Sequence, residues 1–479
     1  MTITDITFLF IFLPISLVTY LMKTEWQKYI LLLLSLFFYA CASPQYFVLF
    51  LEAVAVNTIL GYVISLNSSG GRVRDIISKL CLTAGILFNA ALLFYYKYYD
   101  FAVNNMNKWF STNFQAKNLL LPLGISFFVF KAISFLVDVY RKKVDLKKNP
   151  VYPVLYLSFF AQIQSGPICK YGDFYSVYEQ KIPMKDKASN IMDGGYLFVR
   201  GFVKKMIFAN VLSHITTEVF AMDVADASKA LLWLGAISFS LQLYYDFSGY
   251  SDMAIGIGQL FGIYCPENFN YPYITASVSE FWRRWHISLG NWFKEYIYFP
   301  LGGSRVKSKG RLYFNLLVVW FLTGIWHGAN WNFIVWGLFY FVVIAFEKTT
   351  GWPNKFKSKI MKVIYRVLTL LFINFQWVLF NSADLYSGLR YIKHMLICPT
   401  NALANRRAGI LFGEYGLFIV SGMIFAMPVI PWIKSKVTKN KIVSLAFDIV
   451  CAVILCVLFI WAVSFVVAGQ NNPFMYANF

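Results

Sequence analysis

The sequence predicts an all-α integral membrane protein: a polytopic bundle of roughly 10–12 transmembrane helices, with re-entrant or interfacial helices, forming one membrane domain over residues 1–479. Three observations carry this expectation. Of the residues, 58% are hydrophobic, 19% aromatic and only 14% charged, and the mean hydropathy is +0.57. A soluble core cannot hide so much apolar surface, whereas a bilayer accepts it on the outside of a helix bundle. Apolar runs also recur along the whole chain without an internal repeat, a low-complexity tract or a polar stretch long enough to fold alone; the longest, Lys170 to Asp193, is too short.

In chain order, the apolar runs lie near residues 6–22, 28–42, 45–66, 79–96, 119–137, 151–165, 194–213, 230–262, 312–346, 364–380, 410–430 and 442–468. The first follows "MTITD", which has neither a basic segment nor a small-residue cleavage pattern, and is expected to be a retained span. Runs nearer 15 than 20 residues are short for a crossing and fit tilted or re-entrant helices. Between the runs, basic residues gather in "GRVRDIISK", "YRKKVDLKK", "EKTTGWPNKFKSKIMK" and "IKSKVTKNK", which the positive-inside bias places in the cytoplasm. The net charge of +20 therefore reads as membrane orientation and attraction to anionic lipid heads, not as nucleic-acid binding.

The seven cysteines form no CxxC pair, and only Cys451 and Cys456 lie close together, within an apolar run. Structural zinc and a disulfide framework are not expected. The cysteines read as small core residues, Cys169 at an interface least so.

The run from Leu312 to Phe346 holds no Asp, Glu, Lys or Arg, yet keeps "GIWHGANWN" at its middle. It is much longer than one span and somewhat short for two joined by a loop, so a break near its centre is expected. Gly324 and Gly328 permit the break or a close backbone approach, while His327, Asn330 and Asn332 bring polar groups to a depth where hydrocarbon penalises them. Fifteen residues beyond Leu312, His327 would sit roughly 22 Å into a helix begun there. Intramembrane ionisable residues usually face a bundle interior or a wet cavity, and burial favours the uncharged imidazole, which can take a proton from an alcohol as that alcohol attacks an activated carbonyl. A histidine that merely bonds a neighbouring helix is the bland alternative.

From Pro266 to Arg305, Glu280, Arg283, Arg284 and His286 alternate with Phe281, Trp282 and Trp285. This mixture is too polar to span and too aromatic for a solvated loop, so it belongs at the interface or dips into the membrane. An amphipathic anchor with snorkelling arginines explains all of it except His286, which could bond His327, orient it or contact substrate. Asp246 and Asp252, six residues apart, do not share a helix face well. They are expected to be structural, pairing with the arginines of the next segment or capping a helix broken at Gly249. His214 and His394 fall at span edges or loops. "PLGGSRVKSKGR", Pro300 to Arg311, could grip phosphates but reads more simply as a basic turn that enforces topology. No Walker loop, GxSxG elbow or HExxH helix appears.

"SEFWRRWHISLGNWFKEYIYFPLGGSR" followed by "FLTGIWHGANWNFIVWG" resembles the membrane-bound O-acyltransferase family, in particular its bacterial alginate O-acetylation branch. The resemblance continues in "FFVFKAISFLVDVYR", "LSFFAQIQSGPICKYGDF", "FVRGFVKKMIFA", "YYDFSGYSDMAIGIG" and the closing "NNPFMYANF", and so covers nearly the whole chain. It implies a multi-pass protein of the cytoplasmic membrane with His327 as the essential base inside a central tunnel, and His286 as the second histidine of the motif. It also implies no tightly bound cofactor and no metal. An acyl thioester, acetyl-CoA or an acyl carrier protein, would arrive from the cytoplasm, and the acyl group, most readily acetyl, would pass to an exported or cell-wall polysaccharide, commonly through an extracytoplasmic SGNH-like transferase as partner. Asn330, Arg283 or Arg284 could steady the oxyanion. Lys170 stands where arginine is usual after "GPI", and Asn381 where it is usual after "WVLF"; both leave the two histidines untouched. D-alanyl transfer to teichoic acid by a related enzyme remains open. So does a polytopic transporter or flippase, although no related halves are visible.

Overall fold

The computed structural model describes all residues except 23–25, 68–70, 145, 147–148, 175–183, 439, 471–473 and 476–479. Parts of the Lys170–Asp193 stretch, of two basic loops and of the closing block thus lie outside the described residues. Within them the chain is helical, and its extended pairing is confined to a single antiparallel bridge between Phe269 and Trp285.

Among the described residues, six helical stretches are long and apolar enough to cross a membrane: Pro44–Asn67, Arg72–Phe110, Trp331–Thr350, Lys359–Asn381, Arg406–Phe425 and Lys441–Val467; Phe8–Leu21 and Gln27–Ala42 are shorter apolar helices. All-α, multi-pass architecture follows. Two of the other apolar runs are not single regular helices. Residues 151–165 become two short helices, Val151–Ser158 and Phe160–Ile163, and 194–213 passes through a wide π turn at Lys204–Ala209.

The residues group into two compact units. The first comprises Met1–Phe198, Ser251–Glu267 and Asn291–Tyr296. The helix Ile125–Tyr140 is buried along nearly its whole length there. Gly61 and Gly85 let neighbouring helices close onto it, since a Cβ at either would stand 2.6 Å from the Phe135 ring or 2.4 Å from Leu136. Polar groups inside this unit are matched to one another. Asn57 and Asn89 exchange amide hydrogen bonds, at 2.7 and 3.3 Å. Lys131 donates to the Tyr156 carbonyl and to Gln162 Oε1, whose amide nitrogen reaches the sulfurs of Cys169 and Cys265. Lys170 closes an ion pair with Glu295 at 2.5 Å.

The second unit comprises Val199–Tyr250, Asn268–Gly290 and Ile297–Phe479. Here Asp246 is only 1% exposed and pairs with Lys205 at 2.5 Å, while its other oxygen accepts the Met475 N–H at 3.0 Å. The expected pairing with the downstream arginines is therefore not the one formed: Lys205, on the π turn Lys204–Ala209, takes that place. Nor is the chain broken at Gly249. The helix Lys229–Leu260 runs through it, and the glycine instead admits a second backbone, because a Cβ would stand 2.7 Å from the Gly201 carbonyl. His214 is exposed beside Tyr415, and His394 bonds Asn401 Oδ1 at 2.7 Å.

Candidate active site

The charge-free run folds as two helices, Lys309–His327 and Trp331–Thr350, with the break at Gly328–Asn330. Two glycines bring them together. A Cβ at Gly324 would stand 2.6 Å from the Phe333 carbonyl, and one at Gly337 would stand 2.4 Å from that of Trp320, so backbone meets backbone where any side chain would wedge them apart. At Gly328 a Cβ would run into the Phe333 ring at 2.2 Å. The glycines of the motif thus serve both expected purposes, close approach and the break.

His327 is the last residue of its helix and is 3% exposed. Its imidazole meets Trp326, Trp336 and Phe380 edge to face, with centroids 4.9, 4.9 and 5.2 Å away. Such a cage surrounds the ring with aromatic faces and edges in place of water.

Asn332 and Asn330, the other polar residues of the break, hold its walls. Asn332 Nδ2 donates to the Ser382 carbonyl at 2.9 Å and its Oδ1 accepts the Phe333 N–H at 3.0 Å. Asn330 Nδ2 donates to the Ala383 carbonyl at 2.8 Å. Both therefore bond the C-terminal end of the helix Lys359–Asn381 and the turn after it, which uses one of the two N–H donors of the Asn330 amide.

His286 sits between two short helices, Val278–Arg284 and Ile287–Phe293, outside the candidate spans. It is 1% exposed. Burial pushes its imidazole down to about 3 from the ordinary 6.5, so the ring is uncharged at neutral pH. Its backbone is left-handed, φ +47°, a conformation that costs a non-glycine residue free energy and persists only where its surroundings enforce it. The enforcing element is Asn268. Its carbonyl accepts the Ile287 N–H at 3.0 Å, and its Oδ1 lies 3.1 Å from His286 Nδ1 while accepting both the N–H and the hydroxyl of Ser288.

Trp326 links the histidines. Its ring lies 6.0 Å from His286 and 4.9 Å from His327, centroid to centroid. Phe247 also meets His286 edge to face, at 4.6 Å. The sequence leaves the proximity of the two histidines undecided; in the fold both rings neighbour one indole.

The arginines considered as oxyanion partners go elsewhere. Arg284 binds Glu280 through Nε at 3.0 Å and donates to the Asn270 carbonyl at 3.2 Å, and Arg283 is exposed. Although burial pushes the Glu280 carboxyl up, the Ala276 N–H and Arg284 hold it below its ordinary value. In the basic turn, Gly302 and Gly303 take φ +105° and +60°, and the Arg311 guanidinium donates to the Leu301 carbonyl. Sequence reasoning passed over Asn268, Trp326 and Glu347. The last caps the helix Val278–Arg284 from a distance, and its only trace in the sequence is that it ends the charge-free run.

Comparison with known proteins identifies the family. The model of a family described as MBOAT, membrane-bound O-acyltransferase family, matches residues 2–389. The chain is 34% identical to the probable alginate O-acetylase AlgI of Pseudomonas aeruginosa over 88% of its length and 79% of that protein. It is 32% identical to the peptidoglycan O-acetyltransferase of Helicobacter pylori over 98% of its length and 96% of that protein. A more partial similarity, 31% over 55% of this chain and 70% of the other, joins it to the teichoic acid D-alanyltransferase of Bacillus subtilis.

Proposed function

This chain belongs to the membrane-bound O-acyltransferase family and is an O-acyltransferase, and from that premise we propose that it passes an acetyl group across the cytoplasmic membrane for O-acetylation of an exported or cell-wall polysaccharide, with His327 as general base and His286 beside it. The observation that carries this reading is the position of His327 at the helix break, buried in an aromatic cage and joined to His286 through Trp326. The imidazole takes the proton of the acceptor hydroxyl, the oxygen attacks the thioester carbonyl, and the proton passes to the departing thiolate. One ester forms, one thioester is broken, and the base is regenerated. The donor is acetyl-CoA or an acyl carrier protein, and the immediate acceptor hydroxyl belongs to the glycan or to an extracytoplasmic SGNH-like partner enzyme.

Acetyl is preferred over D-alanyl because the peptidoglycan O-acetyltransferase resembles the whole chain, whereas the D-alanyltransferase resembles about half of it. The test compares envelope polymers from cells carrying the wild type, His327→Ala or no gene. Mild base should release acetate from the wild type alone, with the variant present in the membrane at wild-type level. Release of D-alanine instead would select the other donor, and unchanged ester content in both mutant strains would overturn the enzymatic reading.

A further inference from the structure

The contacts of Asn268 determine more than where His286 sits. Its Oδ1 stands 3.2 Å from the Ser288 backbone nitrogen and 2.9 Å from the Ser288 hydroxyl. If the amide were turned over, an NH2 group would face the Ser288 N–H, donor against donor, inside a buried turn. The oxygen must therefore point this way. The same oxygen lies 3.1 Å from His286 Nδ1, and an amide oxygen can only accept, so Nδ1 carries the hydrogen. In a neutral imidazole the lone pair then belongs to Nε2.

This separates two roles that geometry alone leaves equivalent. A histidine with N–H at Nε2 could donate to a developing oxyanion; one with a lone pair at Nε2 can only accept. We propose that Asn268 is a positioning residue that fixes His286 in its Nδ1–H tautomer, so that beside the His327 base His286 presents a hydrogen-bond-accepting Nε2 and not an oxyanion donor. This rests on the reading that His286 belongs to the reacting pair. The acceptor hydroxyl's proton goes to His327 and from there to the departing thiolate, while the His286 ring stays neutral, its Nδ1–H bonded to Asn268 and its Nε2 accepting a hydrogen bond. The uncharged amide, unlike a carboxylate, adds no counter-charge that would favour an imidazolium. The left-handed backbone at residue 286 fits this account, because the strain puts the ring nitrogen against Asn268.

The chain has four histidines, few enough for nitrogen NMR of the full-length protein, labelled with 15N-histidine in lipid nanodiscs, with His286→Gln identifying the resonances of that ring. The expected result is a neutral ring protonated at Nδ1 from pH 5 to 8. Asn268→Leu should yield a mixture of tautomers, and Asn268→Asp should keep the Nδ1–H form while moving the titration of His286 to higher pH. In cells, Asn268→Leu should lower polymer ester by about a hundredfold at normal protein level. An Nε2–H ring in the wild type, an unaltered tautomer in the leucine variant, or full ester content despite an altered tautomer would each overturn the proposal. If Asn268→Leu does not fold, the titration of the near-isosteric Asn268→Asp decides, an unmoved midpoint counting against it. The tautomer is read without any transfer reaction, so its failure is distinguishable from failure of the functional reading, which His327→Ala tests separately.

Discussion

Glu347 caps a helix that begins 69 residues before it: its Oε1 accepts the Val278 N–H at 2.8 Å, and its Oε2 accepts the Ser279 N–H at 2.8 Å. The Tyr365 hydroxyl adds a third bond at 3.0 Å. Because the capped helix carries Trp282 and Trp285 and leads into His286, one carboxylate near the end of the helix Trp331–Thr350 ties the His327 hairpin to the His286 turn. Replacing it by alanine exposes no new charge but leaves buried donors unmet, at about 1–3 kcal/mol. Glu347→Ala should therefore lower the thermal midpoint in detergent and reduce ester transfer together, whereas a variant that loses neither would show the cap to be dispensable.

The ion pair of Lys205 and Asp246 is buried on both sides. Removing one partner strands the other, typically at about 3–5 kcal/mol, while removing both replaces the desolvation problem with packing. Lys205→Met alone should destabilise strongly, and Lys205→Met with Asp246→Asn should regain most of the loss. A double-variant cycle measured by thermal unfolding checks this; additive losses would refute the coupling.

At Gly324 and Gly337 the added methyl group meets a backbone carbonyl rather than a pliable side chain, so the helices must separate. Gly324→Ala or Gly337→Ala should cost about 1–3 kcal/mol and lower the amount of folded protein recovered from membranes. Gly409, where an added methyl group would have nothing within 4 Å, is the control, and Gly409→Ala should be neutral or slightly favourable.

Burial holds His286 near 3, below the ordinary 6.5. Between these values the unfolded chain binds a proton that the folded chain refuses, so this group favours folding fully above about pH 6.5 and progressively less as the pH falls toward 3. The thermal midpoint of the wild type should drop on acidification through that window, and the drop should be shallower in His286→Asn. Parallel profiles for the two proteins would mean that the buried ring contributes nothing to the pH dependence.

Much of this protein is legible along the chain because the bilayer imposes a one-dimensional rule: about 20 apolar residues make a span, and a polar residue within one needs a reason. The break at Gly328, the burial of His327 and the close approach at Gly324 follow from that rule applied to "GIWHGANWN". Asp246 was legible as structural, but not its partner, since Lys205 reads as one more cation in "FVKKM" until the π turn carries it inward. Asn330 and the two arginines read alike as oxyanion candidates along the chain, and only the fold shows that Asn330 and Arg284 make other hydrogen bonds and that Arg283 is exposed.

Composition and contiguous motifs are local properties of the chain, and they suffice for the all-helical membrane class and the family and to single out His286 and His327 as candidates. The tertiary structure alone decided that Trp326 touches both imidazoles, that Glu347 caps a distant helix and that Asn268 orients His286. Those are directional contacts between segments far apart in sequence. Their geometry depends on helix packing and on a left-handed turn that no spacing of residues encodes.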